Sequence, residues 1–277
     1  MSHRLTQALK TIEIYKAASP HYNELLDILG DILILRQEYQ KGIDKILFPI
    51  EERLISVKIK GGLPLIDFMQ VKFDFTKPKE YFLRLLEVAE KMNPGQTGDL
   101  SQGIISGTID FEKLLRDTFH QVTDNEPEDD ESVISFELID LLLEECLRPE
   151  LELVTEKYGE LIRSLDWAEG YCPICGREPK IGEIKDDDET RHLFCYQCGF
   201  KWTFDPVKCP FCGNEDYQSL AYFTIEGEER YRVDVCNSCN RYIKMVDFRD
   251  SADLVNLDVE DIATLHLDIL AYEEGYN

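Results

Sequence analysis

Eight of the nine cysteines in this 277-residue chain stand in four C-x-x-C pairs. They are Cys172 with Cys175, Cys195 with Cys198, Cys209 with Cys212, and Cys236 with Cys239. Two residues between cysteines let both sulfurs approach one ion while nearby backbone N–H groups turn toward the thiolates, which lowers the cost of gathering negative sulfur. The next residue must then reverse the chain, and such reversals favour positive φ. The four following residues are Gly176, Gly199, Gly213 and Asn240, the types that tolerate that conformation with least strain. Each pair therefore reads as a metal knuckle, and two knuckles make one four-thiolate site. Nineteen residues separate Cys175 from Cys195 and 23 separate Cys212 from Cys236, enough in each case for a hairpin to close. The expected sets are Cys172, Cys175, Cys195 and Cys198, and Cys209, Cys212, Cys236 and Cys239. Pairing the first knuckle with the third and the second with the fourth is the alternative. It would make the alternating segments 193–204 and 222–235 span between sites instead of closing one.

Closed four-thiolate sites mostly staple small β modules, with zinc or iron as the ion. The same ligands also suit rubredoxin-like iron cycling. Thiol exchange at one C-x-x-C would explain two cysteines and leave six without a role. The ninth, Cys146, follows Leu141 to Leu143 on an apolar helix face and reads as core. His192 reads as a strand residue and His266 as a packing residue on the last helix. Phe200, Trp202 and Phe204 alternate, so one strand face can shield a metal site or simply fill a ribbon core. No Ser-His-Asp constellation, glycine-rich phosphate loop or zinc-protease helix motif is present.

The elements that must position these cysteines divide into an α+β chain. The expectation is an all-α helical domain over 1–168, a first metal ribbon over 169–205, a second in tandem over 206–250, and a C-terminal helix within 251–277 packing on the rest. Apolar periodicity predicts helices over 20–41, 78–92, 132–146 and 149–165. A further helix runs from an Asp99 cap to about Phe119, and a last one runs over 257–272 with Asp258 as its cap. Residues 61–75 read as irregular, because Gly61, Gly62 and Pro64 break a helix while Val71, Phe73 and Phe75 alternate. The acidic stretch 124–131 reads as an exposed loop.

Charge excludes some partners. Thirty basic residues face 55 acidic ones, a formal −25 that repels nucleic-acid backbones and anionic membranes. Residues 172–244 carry ten basic and thirteen acidic residues. Two loaded four-thiolate sites would take that module to about −7, so a zinc-ribbon nucleic-acid binder is disfavoured. No apolar run approaches the roughly 18 residues of a membrane span, and the first residues lack the layout of a secretory signal. Paired thiols without a secreted disulfide pattern suit a reducing compartment, so the expectation is a cytoplasmic protein.

Several segments together resemble the formate dehydrogenase accessory proteins, FdhE. They are 172–179, 191–198 followed by Trp202, 207–213, 233–244, and the tail 261–275 running from Asp261-Ile-Ala-Thr-Leu to Glu-Glu-Gly275. The Tyr242-Ile243-Lys244 extension and that tail are the more specific parts. Before residue 170 the likeness is confined to helical character and to Arg36-Gln37 near Tyr39. The resemblance implies a non-catalytic assembly factor that binds the catalytic subunit of a molybdenum or tungsten formate dehydrogenase during maturation. It also implies two metal ions per chain, rubredoxin-type iron in the family, held by the eight paired cysteines. Asn240 stands where a fourth glycine is expected.

Overall fold

Helices form before the first cysteine pair wherever apolar residues recur at three- and four-residue spacing. The computed structural model describes residues 2–68, 70–92, 95, 97–120, 132–185, 190–249 and 256–277. The helices are α1 (His3–Ala18), α2 (Asn23–Gln40), α3 (Ile55–Lys60), α4 (Thr76–Met92), α5 (Gly98–Ser106), α6 (Phe111–His120), α7 (Ser132–Glu145) and α8 (Arg148–Arg163). Helix α1 has no counterpart in the sequence reading. The Ser2 hydroxyl caps it by accepting from Leu5 N, and its stripe of Leu5, Ala8 and Ile12 is buried against Leu26, Leu33 and Val259. The expected helix over 20–41 opens with a 3-10 turn, Pro20–Tyr22. The single helix expected from Asp99 to Phe119 is two, α5 and α6, because Gly107 adopts φ +78° and ends the first. The described residues of 61–75 form turns and irregular backbone, in keeping with Gly61, Gly62 and Pro64. The acidic segment 124–131 lies outside the described residues.

Tyr81, Phe82, Leu85 and Leu86 of α4 are buried with Leu142, Leu143, Cys146, Leu147 and Leu151. The same core continues without a gap into Cys172, Cys195, Leu193, Phe200 and Trp202, so the helices and the first ribbon bury their apolar surface together. A buried ion network braces it. Arg36 of α2 pairs with Glu145 at 2.7 Å and with Glu152 at 3.1 Å, and Arg148 pairs with Glu152 and with Asp258, both at 2.9 Å. Burial works to raise the Glu152 carboxyl, but Arg36 and Arg148 more than offset it and hold it down to about 2.

Six strands follow: β1 (Ile181–Lys185), β2 (Thr190–Phe194), β3 (Lys201–Phe204), β4 (Leu220–Phe223), β5 (Tyr231–Cys236) and β6 (Arg241–Asp247). The expected ribbons are each a three-stranded antiparallel meander, and they join edge to edge in one sheet of order β3-β2-β1-β6-β5-β4. The seam is parallel, with Ile181 opposite Lys244 and Ile184 opposite Asp247. The first strand of one unit thus meets the third strand of the other, a head-to-tail repetition that leaves β3 and β4 as outer edges. Gly182 lies beside the seam because Met245 Sδ would sit 2.8 Å from any Cβ placed there.

The single last helix expected over 257–272 is two, α9 (Leu257–Ala263) and α10 (Leu265–Glu273), broken at Thr264. Thr264 leaves helical geometry while its hydroxyl donates to the Glu260 carbonyl at 2.7 Å. The cap is Asn256, whose Oδ1 accepts from Asp258 N and Val259 N, and Asp258 is thereby free to pair with Arg148. Buried Lys244 pairs with Asp261 at 2.7 Å and Asp268 at 2.6 Å, and Tyr242 donates to Asp268 at 2.8 Å. The Tyr-Ile-Lys extension and the tail, the two most specific parts of the resemblance, are therefore each other's binding partners.

Candidate metal centres

Each knuckle is closed by the same backbone bond, and three of the four by a second as well. The first cysteine's carbonyl accepts from the residue after the second cysteine: Gly176 N to Cys172 O and Gly199 N to Cys195 O at 2.8 Å, Gly213 N to Cys209 O at 3.0 Å, and Asn240 N to Cys236 O at 2.8 Å. A second bond holds the base, with Cys172 N donating to Arg177 O, Cys195 N to Phe200 O and Cys209 N to Asn214 O. The reversal needs positive φ, and the four residues take +76°, +70°, +71° and +55° in chain order. Asn240 is the single non-glycine with positive φ among the described residues. The expected substitution of asparagine for a fourth glycine is thus tolerated by the backbone itself.

The meanders bring the knuckles together in consecutive pairs. Cys172, Cys175, Cys195 and Cys198 form one group and Cys209, Cys212, Cys236 and Cys239 the other, with all four sulfurs of each group within 4.8 Å of one another. The interleaved alternative is not adopted. Two sulfur separations are 3.4 Å in the first group, Cys172 to Cys198 and Cys175 to Cys195, and two are 3.7 Å in the second, Cys209 to Cys239 and Cys212 to Cys236. A tetrahedral ion about 2.3 Å from each sulfur demands edges of about 3.8 Å, so either group could hold one with small sulfur movements. Backbone N–H groups favour thiolate there: Ile174 N donates to Cys172 Sγ at 3.4 Å. Burial pushes Cys239 up to about 12, while at Cys236 the backbone N–H groups of Ser238 and Cys239 outweigh burial and bring the thiol down to about 7.

The surroundings of the groups differ. All four cysteines of the first are buried, whereas in the second Cys212 is exposed and Cys239 half-buried. The first group sits against α7 and α8. Gln197 Nε2 donates to the Glu144 carbonyl at 2.7 Å, Tyr196 donates to the Glu144 carboxylate, and Arg177 pairs with the same carboxylate at 3.2 Å. Thr155 donates to Cys198 O at 2.9 Å, and Leu65 N and Ile66 N donate to Pro173 O and Ile174 O. These contacts carry no signal in the cysteine spacing, because they join residues many turns apart in sequence. Cys146 is fully buried in the helical core. His192 lies in β2, and His266 contacts Glu228 at 2.8 Å. Phe200, Trp202 and Phe204 are all buried in the core that also holds the first group.

A helical body fused to a head-to-tail double knuckle sheet, with two four-cysteine groups that could hold metal ions, defines the class of protein. Residues 171–205 match the family model described as FdhE, central domain, and 207–277 match FdhE, C-terminal domain. The chain is 28% identical over 272 residues to the Protein FdhE homolog of Aquifex aeolicus (strain VF5), covering 97% of this chain and 91% of that protein. It is 33% identical over 110 residues to the Protein FdhE homolog of Stutzerimonas stutzeri (strain A1501), covering 38% of this chain and 35% of that one. The crystal structure of the FdhE protein from Pseudomonas aeruginosa shares the fold, with a TM-score of 0.67 at 18% identity over 99% of this chain and 92% of that one. The chain is thus similar to an FdhE homolog along nearly its whole length, and residues 171–205 and 207–277 match the central and C-terminal domains of FdhE. Among the described residues no helix is long and apolar enough to cross a membrane.

Proposed function

We propose that this protein is a non-catalytic, cytoplasmic accessory factor for the maturation of a formate dehydrogenase, and that it acts by binding the catalytic subunit of that enzyme. Cys172, Cys175, Cys195 and Cys198 would hold one ion and Cys209, Cys212, Cys236 and Cys239 a second, iron or zinc. Iron in such a site supplies one-electron transfer, whereas zinc supplies cross-linking alone. The observation that carries this reading is the likeness to an FdhE homolog over 97% of the chain, with both four-cysteine groups assembled. The chain's formal charge of −25 supports a protein partner over a nucleic acid. Deleting the gene in the native host should abolish formate dehydrogenase activity, and the tagged protein should carry the catalytic subunit through purification. Full activity in the deletion strain would overturn the reading.

A second reading, a rubredoxin-like electron carrier, is favoured by one observation: Cys212 is exposed, which would bring the second centre within reach of a redox partner. Protein purified without oxygen from iron-rich cells should then show thiolate-to-iron absorption that bleaches on reduction. A colourless protein containing zinc would exclude it.

A further inference from the structure

Four thiolates around a divalent ion carry a net charge of about −2, and holding that charge away from water is costly unless opposite charge lies nearby. At the first group the buried arginines are already matched. Arg177 pairs with Glu144 at 3.2 Å, and Arg148, which lies beside Gly199, pairs with Glu152 and Asp258. At the second group three cations likewise have partners of their own: Lys208 pairs with Glu215 at 3.3 Å, Arg241 with Glu178 at 2.7 Å and Arg232 with Asp234 at 2.8 Å. Arg191 differs from these. It belongs to β2 of the first unit, its side chain is 4% exposed, and it lines the same groove as Cys209 and Cys236 of the second group.

A hydrogen bond aims this guanidinium across the boundary between the units. Its Nη1 donates at 3.2 Å to Lys208 O, the carbonyl immediately before Cys209. Its Nη2 lies 3.8 Å from Asp234, the carboxylate that Arg232 already holds, and Nε and Nη2 donate to no acceptor among the described residues. Burial, with Arg232 beside it, draws the guanidinium below its ordinary range, while Asp234, the Cys209 thiolate and Asp205 hold it up. An arginine stays charged even when buried, so two guanidinium groups share one carboxylate and leave one positive charge over. The second group is where that charge is needed. Water reaches exposed Cys212, whereas Cys209 and Cys236 are buried and depend on protein groups for compensation.

We propose that Arg191 is a positioning residue for the second metal centre, a cation supplied by the first unit that offsets the negative charge of an ion held by Cys209, Cys212, Cys236 and Cys239. The inference rests on the proposed function only in taking that group to bind a divalent ion, and it requires no formate dehydrogenase. It makes the second centre depend on the fold of the first unit, because β2 fixes where Arg191 stands.

The test uses the full chain loaded with zinc alone and read by competition with a zinc chelator, the second ion being the one lost in Cys212→Ser. Arg191→Met removes the charge while keeping an apolar stem, and should weaken the second ion at least about tenfold while the first changes by less than about twofold. Arg191→Lys keeps the charge and should recover most of that affinity. Asp234→Asn has the opposite sign: it removes the carboxylate that opposes Arg191 and should tighten the second ion by about threefold or more. A merely structural part for Arg191 predicts instead that all three substitutions weaken the second ion. Unchanged second-ion affinity in Arg191→Met, no recovery in Arg191→Lys, weakening in Asp234→Asn, or a second group that takes up no zinc would overturn the proposal. Where Arg191→Met does not fold, the sign of the change in Asp234→Asn decides. Full formate dehydrogenase activity in the deletion strain, with these affinity changes intact, would remove the accessory role and leave the role of Arg191 standing.

Discussion

The two four-cysteine groups are built from the same motif, closed by the same backbone bond, and set in meanders of the same order, yet one is sealed and the other open. The first shares a buried core with Phe200 and Trp202 and sits against α7 and α8; the second leaves Cys212 exposed. The knuckle thus dictates ligand geometry, while accessibility is decided by what the rest of the chain packs over it. Each unit's remaining side follows the same logic: Val233 and Val235 of the second unit are covered by Leu267 and Ala271 of α10.

Breaking single ligands should expose the contrast most strongly. Cys172→Ser should lose the first ion and unfold the first unit together with part of the helical core, because binding free energy there is also folding free energy. Cys212→Ser should lose only the second ion. Far-ultraviolet circular dichroism and limited proteolysis distinguish the two, and equal damage from both would remove the distinction. Arg36→Met should destabilise the fold by about 3–5 kcal/mol, since it takes the paired cation from buried Glu145 and leaves Glu152 with Arg148 alone. Denaturant titration measures this, and the second unit's metal content should be unaffected.

The same network sets an acid limit. Glu152 is held down to about 2 in the folded chain, from an ordinary value of 4.5. A depressed carboxyl contributes stability that is fully present above its unfolded value and is lost as pH falls through the folded one. Unfolding free energy should therefore decline from about pH 4.5 toward about pH 2, and Arg36→Met should flatten that decline. The smallest effects concern the turns. Gly199→Ala forces a side chain into positive φ and should cost about 1–2 kcal/mol, whereas Asn240→Gly should be neutral or stabilising by less than about 1 kcal/mol. Thermal melts of the loaded protein compare them.

Much of the site was readable from residue order. Cysteine spacing together with Gly176, Gly199, Gly213 and Asn240 specified four knuckles, because ligand geometry and chain reversal are local matters. Consecutive pairing followed from segments that alternate as hairpins do. The seam between β1 and β6 was not readable, since it joins strands some 60 residues apart whose register no local pattern records. Arg36 and Arg148 stand in helices where a charge ordinarily marks the solvent side, so their burial with Glu145, Glu152 and Asp258 emerges only in three dimensions. The breaks at Gly107 and Thr264 were obscured by apolar periodicity that carries on across both.

Metal release tests the central claim most directly. Protein purified without oxygen should contain two ions per chain, and an excess of a strong thiolate-competing chelator should remove one at least about tenfold faster than the other while the fold persists. The ion that leaves first should be the one lost in Cys212→Ser. Release of both ions in a single phase accompanied by unfolding, or a chain that binds no ion at all, would contradict the account.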